Sequence, residues 1–210
     1  MIRSVTGIVM VTTAVLLGGC GSDSGDSGDS GGETTTAGPD ATVTDGPLAG
    51  LDGEKLCGMV DLARLEEHFG EPFTDALGGV NPPEQDSSIV CKYTSQAFTD
   101  ADVADLEDKL QVTTKVTLMT DASTAQDALD ASLADEGEPV AYQPVDGLGE
   151  VAGYAGSDLN VDSGGSYLVA IIKIDGAFVE VVTKADPEGT VEQLRPIADE
   201  LLPKVESELR

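Results

Sequence analysis

Short runs rich in β-favouring apolar residues, alternating with polar ones over 111–120, occur between residues 87 and 183, and they predict β-strands. Two such runs span residues 87–95 and 111–120. The plainest pattern is a pair of apolar runs, 167–174 and 178–183, on either side of Asp175-Gly176, because this dipeptide tolerates the positive φ angles of a tight hairpin turn. A further strand is expected to start at 159–161, after a loop over residues 139–154.

Three segments carry apolar residues at the spacing of three and four that is typical of helices. The first runs from an N-cap at Asp61 to a stop at Gly70. The second covers residues 125–133, capped by Asp121 or Ser123. The third covers 188–209, where proline is expected to bend the helix or break it into pieces at positions 196 and 203. The acidic stretch 97–108 is expected to be an exposed loop or a helical turn.

The predicted order of elements is therefore α-β-β-α-β-β-β-α, with short links between the last strands. Short links favour antiparallel neighbours, and amphipathic helices need a sheet face to cover. The pattern predicts an α+β fold, in which a twisted antiparallel β-sheet carries helices packed on one face.

The N-terminal residues 1–19 have the pattern of a signal peptide, with Arg3 as the positive start and an apolar stretch over 5–17. This stretch is too short to cross a membrane and has no charged flank after it. It ends in Leu17-Gly18-Gly19-Cys20, which resembles the bacterial lipobox. We expect lipidation of Cys20, cleavage before it, and anchoring of the mature chain in the outer leaflet of the cytoplasmic membrane, facing outward. The alternative is an uncleaved anchor.

Residues 20–50 contain almost no apolar side chains and repeat Asp, Ser and Gly. Such a segment has too little apolar surface to offset the entropy lost on ordering, so it predicts a flexible, acidic tether. A calcium-binding repeat is the alternative, but this segment lacks the longer Gly-Gly-x-Gly-x-Asp sequence repeat of calcium-binding β-helices. Residues 51–210 then form one globular domain.

The charge balance excludes one class of function. The chain has 39 Asp and Glu against 11 Lys and Arg, a formal net charge of −28. Nucleic-acid binding depends on clustered basic residues that neutralise phosphates, so we expect no nucleic-acid partner. The acidity is interpreted as a source of solubility, with attraction to cations or to a basic partner as the alternative.

The chain has three cysteines, an odd number for an exported protein. Once Cys20 carries the lipid, Cys57 and Cys91 remain, and in an oxidising compartment we expect them to form a disulfide. A redox or metal pair is the alternative, but neither cysteine lies in a C-x-x-C spacing.

No group of residues predicts a reaction. His68 is the only histidine and has no nucleophile motif beside it. The run Asp158-Leu159-Asn160-Val161-Asp162 resembles the start of a calcium loop but continues with Ser163 where that loop needs glycine. We therefore expect no catalytic residue, no metal and no cofactor. The chain is interpreted as a non-enzymatic binding or accessory module for an unknown envelope protein or small ligand, with a carboxylate-dependent envelope hydrolase as the alternative.

Three motifs in a fixed order carry a family resemblance. They are Cys57-Gly58-Met59-Val60-Asp61, then Cys91-Lys92-Tyr93, then Val145-Asp146-Gly147-Leu148-Gly149-Glu150. Over residues 51–210 this order is similar to that of a family of small actinobacterial secreted lipoproteins with a domain of unknown function. The resemblance implies a disulfide and an antiparallel sheet with helices, and it implies no reaction.

Overall fold

The computed structural model describes residues 46–80, 88–102, 106, 109–135, 138–139, 141–156 and 165–210. Five helices and nine strands occur in these ranges. The helices are α1 (Gly53–Cys57), α2 (Leu62–Phe69), α3 (Gln96–Thr99), α4 (Ala125–Ser132) and α5 (Val191–Glu208). The strands are β1 (Phe73–Val80), β2 (Ile89–Ser95), β3 (Gln111–Met119), β4 (Ala134–Asp135), β5 (Glu138–Pro139), β6 (Gln143–Pro144), β7 (Val151–Ala155), β8 (Ser166–Ile174) and β9 (Ala177–Asp186).

Seven of these strands form one sheet in the order β1-β2-β3-β9-β8-β7-β6, and β4 pairs separately with β5. Every neighbouring pair is antiparallel. The predicted α+β class with an antiparallel sheet is thereby confirmed. Leu48 is buried in the main core, three residues before the predicted start of the domain.

The helices lie on both faces of the sheet. Leu168, Ala170 and Ile172 of β8 belong to the core that includes the buried residues of α1, α2 and α5. The intervening Val169 and Ile171 belong to a second core with α4. The expectation that all helices cover one face is wrong for α4. The physical reason is that the apolar run in β8 is continuous rather than alternating, so both faces of this central strand must be covered.

The capping residues in the sequence predicted the ends of α2 correctly but not the N-cap of α4. The Asp61 carboxylate accepts a hydrogen bond from the amide of Ala63, and Gly70 ends α2 in the left-handed region, as predicted. For α4 the N-cap is Thr124, not Asp121 or Ser123. The reason is a reciprocal capping box, in which Thr124 and Asp127 each bond the other's backbone amide.

The predicted hairpin is confirmed. Asp175 and Gly176 both have positive φ, at 49° and 91°. The flanking residues Ile174 and Ala177 are register partners of β8 and β9. This is the geometry of a two-residue turn that matches the twist of its strands.

Helix α5 is continuous over Val191–Glu208, with both prolines inside it. Of the two expected effects of the prolines, a bend or a break, the break does not occur. Proline has no N–H, so Pro196 leaves the carbonyl of Glu192 without its helical hydrogen bond and Pro203 does the same to Asp199. Glu192 and Asp199 are both solvent exposed, so water can hydrogen-bond to these carbonyls. The opposite side of the helix buries six apolar residues, which hold it against the sheet.

Five of the nine strands were not predicted from the sequence: β1, β4, β5, β6 and β7. Strand β6 and β7 up to residue 154 lie in the stretch 139–154, so the expectation of a loop there is wrong for these residues. In the two longer strands, β1 and β7, glycines explain why the pattern was missed. In β1, Gly78 lies against the backbone of Gly53 in α1, where a Cβ atom would meet the carbonyl carbon of Gly53 at 2.2 Å. In β7, Gly153 lies under the ring of Tyr142, where a Cβ atom would be 2.7 Å from the ring. Glycine lowers strand propensity but permits these close approaches.

The predicted disulfide is present between Cys57 of α1 and Cys91 of β2, with their Cα atoms 5.2 Å apart. The predicted signal peptide, Cys20 and most of the tether lie outside the described residues, and so does the strand expected at 159–161. Among the described helices, none is both long and apolar enough to cross a membrane.

Candidate functional site

The motif at residues 145–150 forms a tight loop between β6 and β7. Val145 and Leu148 are buried in the main core, whereas Asp146 and Glu150 are exposed. Gly147 and Gly149 have φ angles of 80° and 56°, a region that strongly favours glycine. The motif is therefore built from two apolar anchors, two glycines required by the backbone, and two carboxylates directed to the surface.

Strands β7 and β8 fix one side of this loop. The amide of Glu150 donates to the carbonyl oxygen of Ile171 at 2.7 Å, and the amide of Val145 donates to the carbonyl of Ala152 at 3.0 Å. A Cβ atom at Gly149 would lie 2.4 Å from the same Ile171 oxygen. The loop thus rests directly on the backbone of a central strand.

Helix α5 fixes the other side. Arg195 donates from Nη2 to the carbonyl oxygen of Asp146 at 2.9 Å. The start of α5 is itself held by the sheet, because the Tyr154 hydroxyl donates to the carbonyl of Gly189 at 2.8 Å and the Ser166 hydroxyl accepts from the Gly189 amide at 3.2 Å. These contacts position Arg195 beside the loop.

A cleft lies between this loop and α4, and we call it the α4 cleft. Its cavity volume is about 210 Å³. Its lining residues are Gln126, Leu129, Tyr142, Pro144, Val145, Asp146, Gly147, Leu148, Gly149, Glu150, Val151 and Ala152. It combines an apolar floor with an aromatic ring, an amide and two exposed carboxylates.

One wall of the α4 cleft is held by a closed set of hydrogen bonds. Gln126 donates from Nε2 to the Tyr142 hydroxyl at 2.7 Å and to Oδ1 of Asp130 at 2.8 Å. The Tyr142 hydroxyl donates to the same Asp130 oxygen at 2.9 Å. Loss of hydration, together with this bond to the Asp130 carboxylate, raises the pKa of Tyr142 above its usual value. The phenol is therefore neutral near pH 7 and its ring is fixed in place.

A second concavity, the α5 cleft, lies on the opposite side of the same loop, with a volume of about 340 Å³. It is lined by Gln143, Pro144, Val145, Asp146, Val191, Glu192 and Arg195. Its charged lining residues are the acidic Asp146 and Glu192 and the basic Arg195, which also lies 3.6 Å from Asp199. It lacks the aromatic wall of the α4 cleft.

The buried acid groups of the described residues show no catalytic arrangement. Glu180 is the one buried carboxylate of the described ranges, and its Oε2 lies 3.2 Å from Nζ of Lys115. His68 is half-buried on α2, and its carbonyl, not its ring, accepts a hydrogen bond from Gln193. Residues 157–164, which include the calcium-like run, lie outside the described residues. No group of metal-ligating side chains occurs in the ranges that the structure describes.

Sequence reasoning identified the 145–150 motif as part of a predicted loop and of a family resemblance, and it missed Gln126, Asp130 and Tyr142. Gln126 and Asp130 are four residues apart on one helix, so their contact could have been predicted from the sequence. Tyr142, the residue before β6, joins them only through a tertiary contact with α4, and no local pattern signals that contact.

No protein-family model matches the chain, and no curated protein is significantly similar to it. Among solved structures, the crystal structure of the extracellular domain of PknH from Mycobacterium tuberculosis is similar to it with a TM-score of 0.34 and 13% sequence identity. The match covers 75% of this chain and 97% of that one. With a TM-score below 0.5, the similarity supports no statement about function.

Proposed function

We propose that the chain is a lipid-anchored extracytoplasmic module that binds an envelope protein or a small ligand at the α4 cleft and does not catalyse a reaction. The observation that carries this proposal is the preformed cleft itself. Its walls are held by β8, by Arg195 and by the Gln126–Asp130–Tyr142 hydrogen bonds, so binding would require little ordering of the protein.

The exposure of the cleft carboxylates favours binding over hydrolysis. A carboxyl group that acts as a general acid near neutral pH needs shielding from water. Asp146 and Glu150 are both exposed, and the buried Glu180 is engaged by Lys115. An exposed carboxylate is well suited to a different task, which is to pair with a ligand at the rim of a cleft.

The location rests on the N-terminal sequence. The signal peptide, the lipobox ending at Cys20 and the acidic tether together support export and anchoring, and they also support relating the chain to the small actinobacterial lipoproteins. The Cys57–Cys91 disulfide agrees with an oxidising compartment.

The anchor is tested by fractionating the native host. The wild-type chain should appear in the membrane fraction, with an intact mass that starts at Cys20 and includes acyl chains. The Cys20→Ala variant should accumulate as unprocessed precursor or be released to the medium. A wild-type chain that keeps Met1 and stays in the cytosol would refute the anchor.

Binding at the cleft is tested by quantitative affinity capture with the full chain from the same host. Gln126 is exposed on α4, so Gln126→Trp should fill the cleft without disturbing the core. Ser207 is exposed on α5, far along the chain from the cleft residues, and Ser207→Trp is the matched control. We expect one stoichiometric protein or small molecule to be lost with Gln126→Trp and retained with Ser207→Trp. Equal recovery with both variants would overturn the proposal.

A further inference from the structure

We propose that the α4 cleft accepts one basic side chain, a lysine or an arginine, from a partner protein. This inference rests on the proposed function and deepens it, because it names the chemistry that the cleft recognises.

The size and floor of the cleft fit a single long side chain. A volume of about 210 Å³ is below the roughly 300–1,000 Å³ of sites that enclose drug-sized ligands. Leu129 and Val151, which pack together in the core on the α4 side of the sheet, supply an apolar floor. Lysine and arginine place an aliphatic stem on such a surface while the charged end stays at the solvent-facing rim.

The charges around the cleft select a cation. Asp146 and Glu150 line it and are exposed, and none of its lining residues is Lys, Arg or His. The nearby Arg195 lines the α5 cleft instead and donates to the Asp146 carbonyl. A concave site with carboxylates at its rim, on a chain of net charge −28, concentrates negative potential and attracts a basic partner.

The aromatic wall of the α4 cleft, formed by Tyr142, also favours a cationic side chain. Tyr142 is held by Gln126 and Asp130 through its hydroxyl, and its ring lies against Gly153. A fixed aromatic ring beside carboxylates is a favourable site for an ammonium or guanidinium group, through its negative face. The same pairing occurs within the chain, where Nζ of Lys184 lies 5.0 Å from the Tyr167 ring centre.

The test is an NMR titration of the isotope-labelled full chain in neutral detergent. The probe is N-acetyl-lysine N-methylamide, and the matched control is N-acetyl-norleucine N-methylamide, which has a stem of similar length but no charge. We expect saturable shifts of the Gly147 and Glu150 amides with the lysine probe and binding about tenfold weaker with the norleucine probe. Added salt should weaken the lysine binding, because the contact is made at an exposed rim.

Charge variants test whether the lysine probe binds at the α4 cleft. Glu150→Gln should weaken lysine binding by about threefold or more, whereas Asp175→Asn, at the exposed hairpin tip, should leave it unchanged. Equal binding of the two probes, or equal effects of the two variants, would overturn this inference. If Gln126→Trp still abolishes partner capture in that case, binding at the cleft stands and only the identity of the bound group is wrong.

Discussion

Gly149 lies directly against the backbone carbonyl of Ile171. A Cβ atom added at position 149 would be 2.4 Å from the Ile171 carbonyl oxygen, which is too close for any side chain. Any other residue at position 149 must displace the loop or strand β8. We expect Gly149→Ala to lower the free energy of unfolding by about 1–3 kcal/mol and to speed hydrogen exchange of the Glu150 amide, which donates to the same oxygen.

Gly79 provides the control for this prediction. It lies in β1 at negative φ, and a Cβ atom there would meet nothing within 4 Å. Gly79→Ala should leave stability unchanged or raise it by about 0.5 kcal/mol, since alanine restricts the unfolded chain more than glycine does. Urea denaturation of both variants checks the pair, and equal midpoints would show that the close approach at Gly149 is not what holds the loop.

The Lys115–Glu180 ion pair gives a second prediction. Glu180 is 4% exposed, so removing its partner leaves a carboxylate with little access to water. We expect Lys115→Met to cost about 2 kcal/mol in stability, and Lys115→Met/Glu180→Leu to recover most of it. Lys92→Met, on the neighbouring strand and exposed, is the control and should change little. A double variant that is no more stable than Lys115→Met would contradict this account of the pair.

Tyr93 gives a prediction about alkaline pH. Burial raises its pKa to about 12, and its hydroxyl lies within hydrogen-bonding distance of the carbonyls of Leu56 and Cys57. The folded protein therefore keeps a proton that the unfolded chain loses near pH 10, so this contribution to stability is complete below pH 10 and is lost as pH rises towards 12. Stability measured from pH 9 to 12 should fall more steeply for the wild type than for Tyr93→Phe. A phenolate absorbance from Tyr93 at pH 10 in the folded protein would contradict the raised pKa of this residue.

The disulfide gives a prediction about stability. Cys57 and Cys91 are separated by 34 positions, for which the chain-entropy model gives about 4 kcal/mol. The Cys57→Ala/Cys91→Ala variant should lose roughly that amount in urea denaturation under oxidising conditions. Cys20→Ala should not change the unfolding of the domain, and a loss of similar size in that variant would show that the cysteine pairing is different.

The sequence predicts strands β2, β3, β8 and β9 and helices α2, α4 and α5, because their signals are local. The Asp61 cap, the Gly70 stop and the Asp175-Gly176 turn each depend on residues within a few positions, and the structure confirms all three. The position of α4 could not be predicted in the same way. It depends on which face of β8 remains uncovered once α5 has packed, and that is a property of the assembled sheet.

The candidate site was only partly predictable for a related reason. Gly147 and Gly149 stand out in the sequence, and both adopt positive φ in the loop. The close approach that also excludes a side chain at Gly149 is made by Ile171, far along the chain. Tyr142 was assigned to a loop, and its role follows from contacts with α4 and with Gly153 that connect separate elements.

Site-specific photo-cross-linking in the native host tests the central claim most directly. A photoreactive amino acid at Gln126 places the probe in the α4 cleft, and the same amino acid at Ser207 places it on exposed α5 surface. Binding at the cleft predicts one discrete cross-linked product from position 126 that is absent from position 207. The same set of products from both positions, or none from position 126, would contradict the claim that this cleft is where the module binds.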